Sequence, residues 1–464
     1  MKILGIETSC DETAAAVVED DCRVLSNVIV SQMRVHSVYS GVVPELASRC
    51  HIEYMLPVVR EALEVAFGGE VRSAGLSLSS HEKVRSAGLS PSPGGEVRSA
   101  GFSLSSHEKV RSAGLSPSPG GEIRSAGLSL SSPGENRAKA STRIENRYGI
   151  EAIAVTRGPG LIGSLLVGVE TAKTLAWTWN LPLIPVHHTM GHLLSVFCEL
   201  PEGQSRILEI PPEGQPASAQ WETIPAASPI RPIGPICPIG LTSPTAPTRP
   251  TAAFDYPYLG LVISGGHSSL VRVDSPLRMR LLGSTLDDAP GEAYDKVAKC
   301  LGLGYPGGPV VDRLAAEGDS EAFALPRPLL HTREYDFSFS GLKTAVVRAI
   351  QDFGGLARLR ESETALKDLC ASFQAAVIDV LLKKTERALK RERLRRLVVA
   401  GGVACNRGLR AEAARRLQSV HLVFPPPVLC TDNAAMIGAA AQHLPPLPRS
   451  EALALDARAG WELP

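Results

Sequence analysis

Repeatedly along this chain a short apolar run ends in a glycine turn that opens a helical pattern. Tyr258–Ser264 runs into Gly265-Gly266. Arg396–Ala400 runs into Gly401-Gly402, ahead of a helix expected over Asn406–Arg416. Ile153–Thr156 passes through Arg-Gly-Pro-Gly into a helix expected over Ser164–Asn180. Apolar runs of this kind, bounded by glycine, read as buried strands. Their alternation with helices fixes an α/β class. Glycine turns at strand ends also bare backbone N–H groups, which is the geometry that holds a phosphate.

Other segments fit the same scheme. Lys2–Glu7 and Ala14–Glu19 read as a hairpin with the residues CDETA at its turn. Pro44–Leu63 reads as a helix with Leu46, Ile52, Leu56 and Val59 near one face, and Leu183–Val186 as a strand leading into a histidine run. Ala365–Arg391 reads as a long amphipathic helix and Thr431–Gln442 as the last helix. Two stretches break the pattern. The heptad [VI]RSAG[LF]S starts at Val71, Val84, Val97, Val110 and Ile123, a strict 13-residue step. Its units offer too little apolar surface to offset the entropy of ordering. Residues 70–143 are therefore expected to be a mostly disordered insertion, with a binding arm as the functional alternative. Residues 201–255 are rich in Pro, Thr and Ser, and proline at that density excludes helix and central strand; an extended surface loop is expected.

Composition removes several classes. Lys+Arg and Asp+Glu are both 48, so no global charge marks a nucleic-acid binder, and such contact needs a local patch. The run KKTERALKRERLRR at 383–396 is the densest basic segment. It reads as a solvated helix face, or alternatively as a phosphate-backbone contact. The nine cysteines form no CxxC pair, which leaves a zinc ribbon or thioredoxin-type site unsupported and favours a reducing compartment. The N-terminus carries neither a signal-peptide nor a transit-peptide pattern, and no run of 18 apolar residues is present. A cytoplasmic protein without a membrane span is expected.

The chemistry-bearing residues cluster at the turns. His188 and His192 in HHTMGH are four apart, so a helix sets both imidazoles on one face, where each can offer a nitrogen to one metal ion. Two partly buried histidines at a helix start are the plain alternative. A zinc protease needs a glutamate beside the first histidine, and Thr189 stands there instead. Asp432, in the run CTDN, is the candidate third ligand; its other role would be a helix N-cap. The SGGH run at 264–267, the GG pair at 401–402 and the run YPGGP at 305–309 are candidate anion turns, with Asp295, Asp312 and Asn406 as polar residues near them. An actin-like or sugar-kinase-like site builds its nucleotide pocket from several such strand ends.

The motifs MKILGIETSCDET, SGVVPELASR, GPGLIGSLLVG, PVHHTMGHL, VISGGHSSL, GEAYDKVAKCLGLGYPGGP, FSFSGLKT, AGGVACNR and CTDNAAMIG follow in one order. In this the chain resembles the TsaD family, the tRNA adenosine threonylcarbamoyltransferases, once called O-sialoglycoprotein endopeptidases. The resemblance spans nearly the whole chain outside the two insertions. SGVVPE stands for the more usual GGVVPE, and the residues between the two histidines are TMG where many relatives carry an acid or small residue.

The resemblance implies an actin-like, two-lobed α/β fold of the actin-like ATPase class. Lobe I would span 1–185 with the insertion 70–143. Lobe II would span 186–430 with the loop 201–255, and 431–464 would hold a C-terminal helix returning to lobe I, and a tail. It implies one divalent metal ion, Fe(2+) by family or Zn(2+), held by His188, His192 and Asp432. It implies adenylate binding by Val262, Ile263, Ser264, Gly265, Gly266, Asp295, Gly308, Asp312 and Asn406, with Asp11 and Glu12 near the reacting end. The implied activity moves the threonylcarbamoyl group of threonylcarbamoyl-AMP to the exocyclic N6 amine of the adenosine 3′ of the anticodon, in tRNAs reading ANN codons. TsaB-like and TsaE-like partners are implied as well, TsaB pairing through the lobe that carries the first insertion. A small-molecule kinase or ATPase of the actin-like superfamily is the alternative, and it would not need the two histidines. A metallopeptidase or a non-catalytic scaffold fits the motifs less well.

Overall fold

In the computed structural model, residues 1–68, 148–210, 223–224 and 254–463 are described. The repeat over 70–143 lies outside the described residues, as does most of the proline-rich stretch. The N-terminal runs form an antiparallel meander, β1 (Ile3–Glu7), β2 (Glu12–Glu19) and β3 (Arg23–Ser31). Next come α1 (Met33–Ser37), α2 (Pro44–Phe67), β4 (Ala152–Gly158), α3 (Ile162–Trp179) and β5 (Leu183–His187). β4 pairs parallel to β1, and β5 parallel to β4. α4 (His188–Leu194) follows β5 without a break. β6 (Ser205–Glu209) and β7 (Thr223–Ile224) then extend the far edge, giving the order β5-β4-β1-β2-β3-β6-β7.

A second meander, β8 (Tyr258–Ile263), β9 (Ser268–Ser275) and β10 (Arg278–Ser284), starts the other sheet. Five helices follow: α5 (Pro290–Leu301), α6 (Gly307–Ala315), α7 (Ser340–Asp352), α8 (Leu356–Glu361) and α9 (Glu363–Glu392). Then come β11 (Arg396–Ala400), α10 (Arg407–Arg416) and β12 (His421–Val423), with the order β10-β9-β8-β11-β12. The chain closes with α11 (Pro427–Cys430), α12 (Ala434–Ala441) and α13 (Arg449–Ala452). In each sheet the first strand lies between the second and the fourth, and two parallel strands follow the meander. This repeated order is the internal duplication of an actin-like fold, so the expected class is present.

Side-chain alternation along β1 divides its two faces. Leu4 and Ile6 pack under α2 and α3, against Tyr54, Met55, Leu165 and Val169. Ile3, Gly5 and Glu7 face the other way, toward α12. A Cβ at Gly5 would lie 2.5 Å from the Ala434 carbonyl oxygen, and one at Gly438 would lie 2.6 Å from Val18 Cγ2. Ala14 and Ala16 of β2 keep the rest of that bed shallow. In the second sheet, Leu259, Leu261 and Ile263 pack on the α5–α9 side. Tyr258 and Val262 of β8 share a cluster with Leu193 of α4, Met436 of α12 and Ile3 of β1, so α4 and α12 are the apolar filling that joins the sheets. At the start of β4, the Tyr148 ring lies 5.9 Å from Phe67 and 6.2 Å from Trp179.

Several expectations need correction. Ile52 and Leu56 of α2 are 69% and 56% exposed; the inward face carries Ala47, His51, Tyr54, Met55, Val58, Val59, Ala62 and Leu63. A polar residue sits on that face because His51 Nδ1 bonds Thr13 Oγ1 at 2.8 Å and its Nε2 bonds the Cys10 carbonyl at 3.0 Å. Glu12–Ala14 belong to β2 rather than to the turn, and the antiparallel strand β3 was not anticipated. The proline-rich stretch is not all loop, since β6 pairs parallel to β3. The last long helix starts at Ala434, not Thr431. Among the described residues, no helix is long and apolar enough to cross a membrane.

The closeness of α12 to β1 makes a direct prediction. Gly5→Ala forces the α12 backbone outward and should cost about 1–3 kcal/mol, the usual range for overpacking. A thermal melt reads this as a lowered midpoint. An unchanged midpoint would mean that α12 shifts freely on its bed.

Candidate active site

The end of β5 sets the histidines. His187 turns its side chain back to accept the Thr189 N–H at 3.2 Å, which fixes the first turn of α4. His188 and His192 then share a face and are both buried. At the head of α12 the cap is Asn433, whose Oδ1 accepts the Met436 N–H at 3.0 Å, while its Nδ2 donates to the Thr431 carbonyl at 2.8 Å. Asp432 is therefore not the cap, and its carboxylate is free to meet the imidazoles. Its Oδ1 lies 3.1 Å from His192 Nε2 and 3.5 Å from His188 Nε2. One donor atom from each of the three residues falls within a single 4.8 Å set.

Behind this set lies Glu7, the last residue of β1, which is fully buried. Its Oε2 accepts from Thr156 Oγ1 at 2.6 Å and faces His188 Nδ1 at 3.1 Å; its Oε1 accepts the Ser9 N–H at 2.5 Å. Ser9 Oγ also lies 3.1 Å from His188 Nδ1. A carboxylate at one nitrogen of a histidine turns the other toward its ligand, the usual arrangement behind a metal-binding imidazole. Burial lowers the affinity of His188 for a proton, but Asp432 and Glu7 together overcome it and raise its pKa to about 9. Burial would also keep Asp432 neutral, yet His188 and His192 hold it well below the usual carboxylate range. Burial lowers His192, whose Nδ1 has no partner, and burial with the neighbouring His188 lowers His267 to about 4. The pocket thus favours one positive charge. Two imidazole nitrogens and one carboxylate oxygen are a donor set that fits a divalent ion, iron(II) and zinc alike, with positions left for further oxygen ligands.

The expected anion turns are at the carboxyl ends of β8 and β11. Val262 and Ile263 are buried in β8; Ser264 opens the turn, its N–H donating to the His267 carbonyl at 2.8 Å. Gly265 and Gly266 are exposed, and no atom from elsewhere lies within 4 Å of a Cβ built on either, nor on Gly308 or Gly402. Gly401 has a left-handed φ of +91°, and a Cβ there would meet the Ile263 carbonyl oxygen at 2.3 Å, so both its backbone and its packing call for glycine. Asp295 of α5 accepts the Gly307 N–H at 2.7 Å, and burial raises its carboxyl to about 6. Asp11 and Glu12 adjoin this side. Burial first, then Asp11 and Asp432, push the Glu12 carboxyl well above its ordinary value.

Asp312 and Asn406 stand in a polar network at the head of α10. Asp312 Oδ2 accepts from Arg407 Nε at 2.9 Å and from the Arg407 N–H at 3.3 Å, and its Oδ1 accepts from the Gly408 N–H at 3.3 Å. It therefore occupies the N–H groups at the head of α10. Asn406 caps α10 through the Leu409 N–H at 2.8 Å. Gln374 of α9 joins them: its Nε2 donates to Asp312 Oδ1 at 3.2 Å, and its Oε1 accepts from Asn406 Nδ2 at 2.7 Å and Tyr294 OH at 3.3 Å. Sequence reasoning missed Gln374, Glu7 and His267, whose ring lies 5.7 Å from that of His188. The histidine was visible in SGGH; nothing local to Gln374, mid-helix in an apolar stretch, signals its role.

Comparison with known proteins gives the family. The family profile described as TsaD, tRNA N6-adenosine threonylcarbamoyltransferase, matches residues 23–68, 137–209 and 239–439. A protein of that name from Trichlorobacter lovleyi is 42% identical over 466 residues, covering 100% of this chain and 97% of its own. Proteins of the same name from Syntrophotalea carbinolica and Geobacter sulfurreducens are each 39% identical over 465 residues, again covering 100% of this chain and 97% of theirs. The chain belongs to the TsaD family, a family of acyltransferases.

Two outcomes follow from the site's charges. Glu7→Gln keeps the shape but removes the charge behind His188, and should weaken zinc binding to the metal-free protein on the order of tenfold to a hundredfold by calorimetric titration. Equal affinity would remove Glu7 from the centre. Asp295 is a carboxyl raised to about 6 in the folded chain, above its unfolded value, so its ionisation opposes folding. The ligand-free Asp295→Asn variant should melt higher than the parent at pH 7. That advantage should shrink as pH falls through about 6 and vanish near pH 4; a constant difference would contradict the assignment.

Proposed function

We propose that this chain transfers the threonylcarbamoyl group of threonylcarbamoyl-AMP to the N6 amine of the adenosine 3′ of the anticodon, in tRNAs that read ANN codons. The observation that carries this reading is the convergence of His188, His192 and Asp432, backed by Glu7, in a chain whose relatives along its whole length are named tRNA N6-adenosine threonylcarbamoyltransferase. The two sheets are read as the two lobes, 1–185 and 186–430. β6 and β7 are the exceptions, since they join the first sheet, and the segment from 431 returns α12 to β1.

The donor is a mixed anhydride, so AMP is already a good leaving group, while the aromatic amine is a weak nucleophile. Positioning and charge stabilisation are then the main tasks. His188, His192 and Asp432 would hold a divalent ion, iron(II) by family or zinc, which would supply Lewis-acid stabilisation of the charge that develops. Gly265, Gly266 and Gly308 border open space and offer backbone to the adenylate. Ser264 holds the turn beside buried Val262 and Ile263, and Asp295 lies within reach of the same space. Asp312 and Asn406, in the polar network at the head of α10, complete the adenylate-binding set. The amine nitrogen attacks the carbamoyl carbon, the bond from that carbon to the phosphate oxygen breaks, and the amine proton passes to Asp11 or Glu12. TsaB-like and TsaE-like partners and a cytoplasmic setting complete the reading.

The test is nucleoside analysis of tRNA from transfer-deficient cells supplied with this chain or with Asp432→Ala. Threonylcarbamoyladenosine is expected with the intact chain and should fall below detection with the variant. If neither yields it, the form without residues 70–143 is supplied with its own partners. Failure of that form as well would overturn the transferase. Equal product from intact chain and variant would instead overturn the metal centre.

A further inference from the structure

The chemistry above makes no use of the segment 455–461, yet that segment is fastened beside the histidines. It runs over the β4–α3 turn, Arg157-Gly158-Pro159-Gly160. The Leu455 carbonyl accepts from Lys173 Nζ of α3 at 3.2 Å, and the Asp456 carbonyl from Arg157 Nε at 3.0 Å. The Arg458 N–H donates to the Arg157 carbonyl at 2.8 Å, and the Gly160 N–H to the Ala459 carbonyl at 3.1 Å. The Arg458 carbonyl takes the space that a Cβ on Gly158 would need. Leu455 and Ala457 are buried in the same core cluster as β4 and α3. The Trp461 ring ends the run, 5.4 Å from the Arg157 guanidinium and 5.1 Å from the His187 ring.

The last contact reaches the imidazoles. His187 Nε2 lies 2.8 Å from the Trp461 carbonyl oxygen, and its Nδ1 lies 3.2 Å from the Thr189 nitrogen. A carbonyl oxygen only accepts and a backbone N–H only donates. The neutral ring that satisfies both partners carries its hydrogen on Nε2 and leaves Nδ1 bare. His187 is buried and is the N-cap of α4, the helix that begins with His188. Held at its far nitrogen, the ring keeps Nδ1 aimed at Thr189, and the first turn of α4 is set with it.

We propose that the segment 455–461 is a positioning element of the His188, His192 and Asp432 centre. The Trp461 carbonyl fixes the tautomer and the rotation of His187, and His187 fixes the height at which α4 presents its two imidazoles to a divalent ion. Neither Trp461 nor His187 is placed among the ligands. They act by holding the donor atoms at their spacing before the ion arrives, as a supporting shell does. The role in metal binding rests on the proposed reading of the three residues as ligands; the hydrogen bonds do not.

The test is a double-mutant cycle on the metal-free chain. It is read by calorimetric titration with zinc and by the visible absorption of the cobalt(II)-loaded protein, whose bands follow ligand geometry. A chain ending at Gly460 loses the Trp461 carbonyl. Trp461→Ala loses only the ring that holds the segment against His187, and stands in if the shorter chain does not fold. His187→Asn is the conservative variant, because an Asn caps a helix start through its own oxygen and needs no bond at a far ring nitrogen. The shortened chain should bind zinc more weakly on the order of fivefold, the scale of one lost N-cap, with shifted cobalt bands. Trp461→Ala should change both in the same direction. His187→Asn should bind zinc within about twofold of the parent. Adding either change in the segment to His187→Asn should cost no further affinity, although the melting midpoint should fall in both backgrounds. That split separates positioning from a general loss of stability. Undiminished zinc affinity in the shortened chain would overturn the proposal. So would an equal loss of affinity with His187 and with Asn at that position, because the segment would then act by another route. If the parent binds no zinc, or Asp432→Ala binds it as tightly as the parent, the metal reading itself fails and the positioning falls with it.

Discussion

Burying an ionised carboxylate costs several kcal/mol unless a positive charge and hydrogen bonds stand beside it. Glu7 and Asp432 impose that condition on the centre of this molecule, and much of the surrounding fold answers it. The pleat of β1 sends Glu7 to the same face as Gly5, and the missing side chain at Gly5 lets α12 come down far enough to bring Asp432 alongside. β5 passes into α4 without a loop, so the imidazoles arrive at a fixed height. Thr156 and Ser9 fill what remains of the hydrogen-bonding capacity of Glu7. The alanine-rich bed and the donor set occur together because α12 must lie close on the first sheet for Asp432 to meet the imidazoles.

The two sheets contribute in different ways although they share one strand order. The first supplies ionisable groups held by short bonds in a dry interior. The second supplies glycine-lined space and a polar network of uncharged and paired groups: Gln374, Asn406, Tyr294, and Asp312 with Arg407. This division suits a reaction whose leaving group must be gripped by neutral backbone while charge develops at the far end.

Much of this was legible in the sequence because it depends on spacing. The pair His188 and His192 needs only a helix, and the strand–glycine–helix runs need only a sheet beneath them. What stayed hidden depends on partners distant in the chain. The face of α2 was misjudged because His51 turns inward only through its bonds to Thr13 and the Cys10 carbonyl. Asp432 and Asn433 are adjacent and chemically alike, and only the geometry at Ala434 decides which caps the helix and which is left for the imidazoles. β6 was lost in the compositional noise of a proline-rich stretch, because its strand character is supplied by β3. Glu7 reads as an ordinary strand end, since no local rule forecasts a buried acid.

The ring cluster of Phe67, Tyr148 and Trp179 has a consequence for the evolution of the chain's length. It clasps the end of α2 to the start of β4, where the repeat segment departs and rejoins, and β4 runs from there toward its other end, beside the histidines. The clasp holds α2 and β4 together where the 13-residue repeat enters and leaves the chain, so a change in the number of its units need not be transmitted to the histidine end of β4.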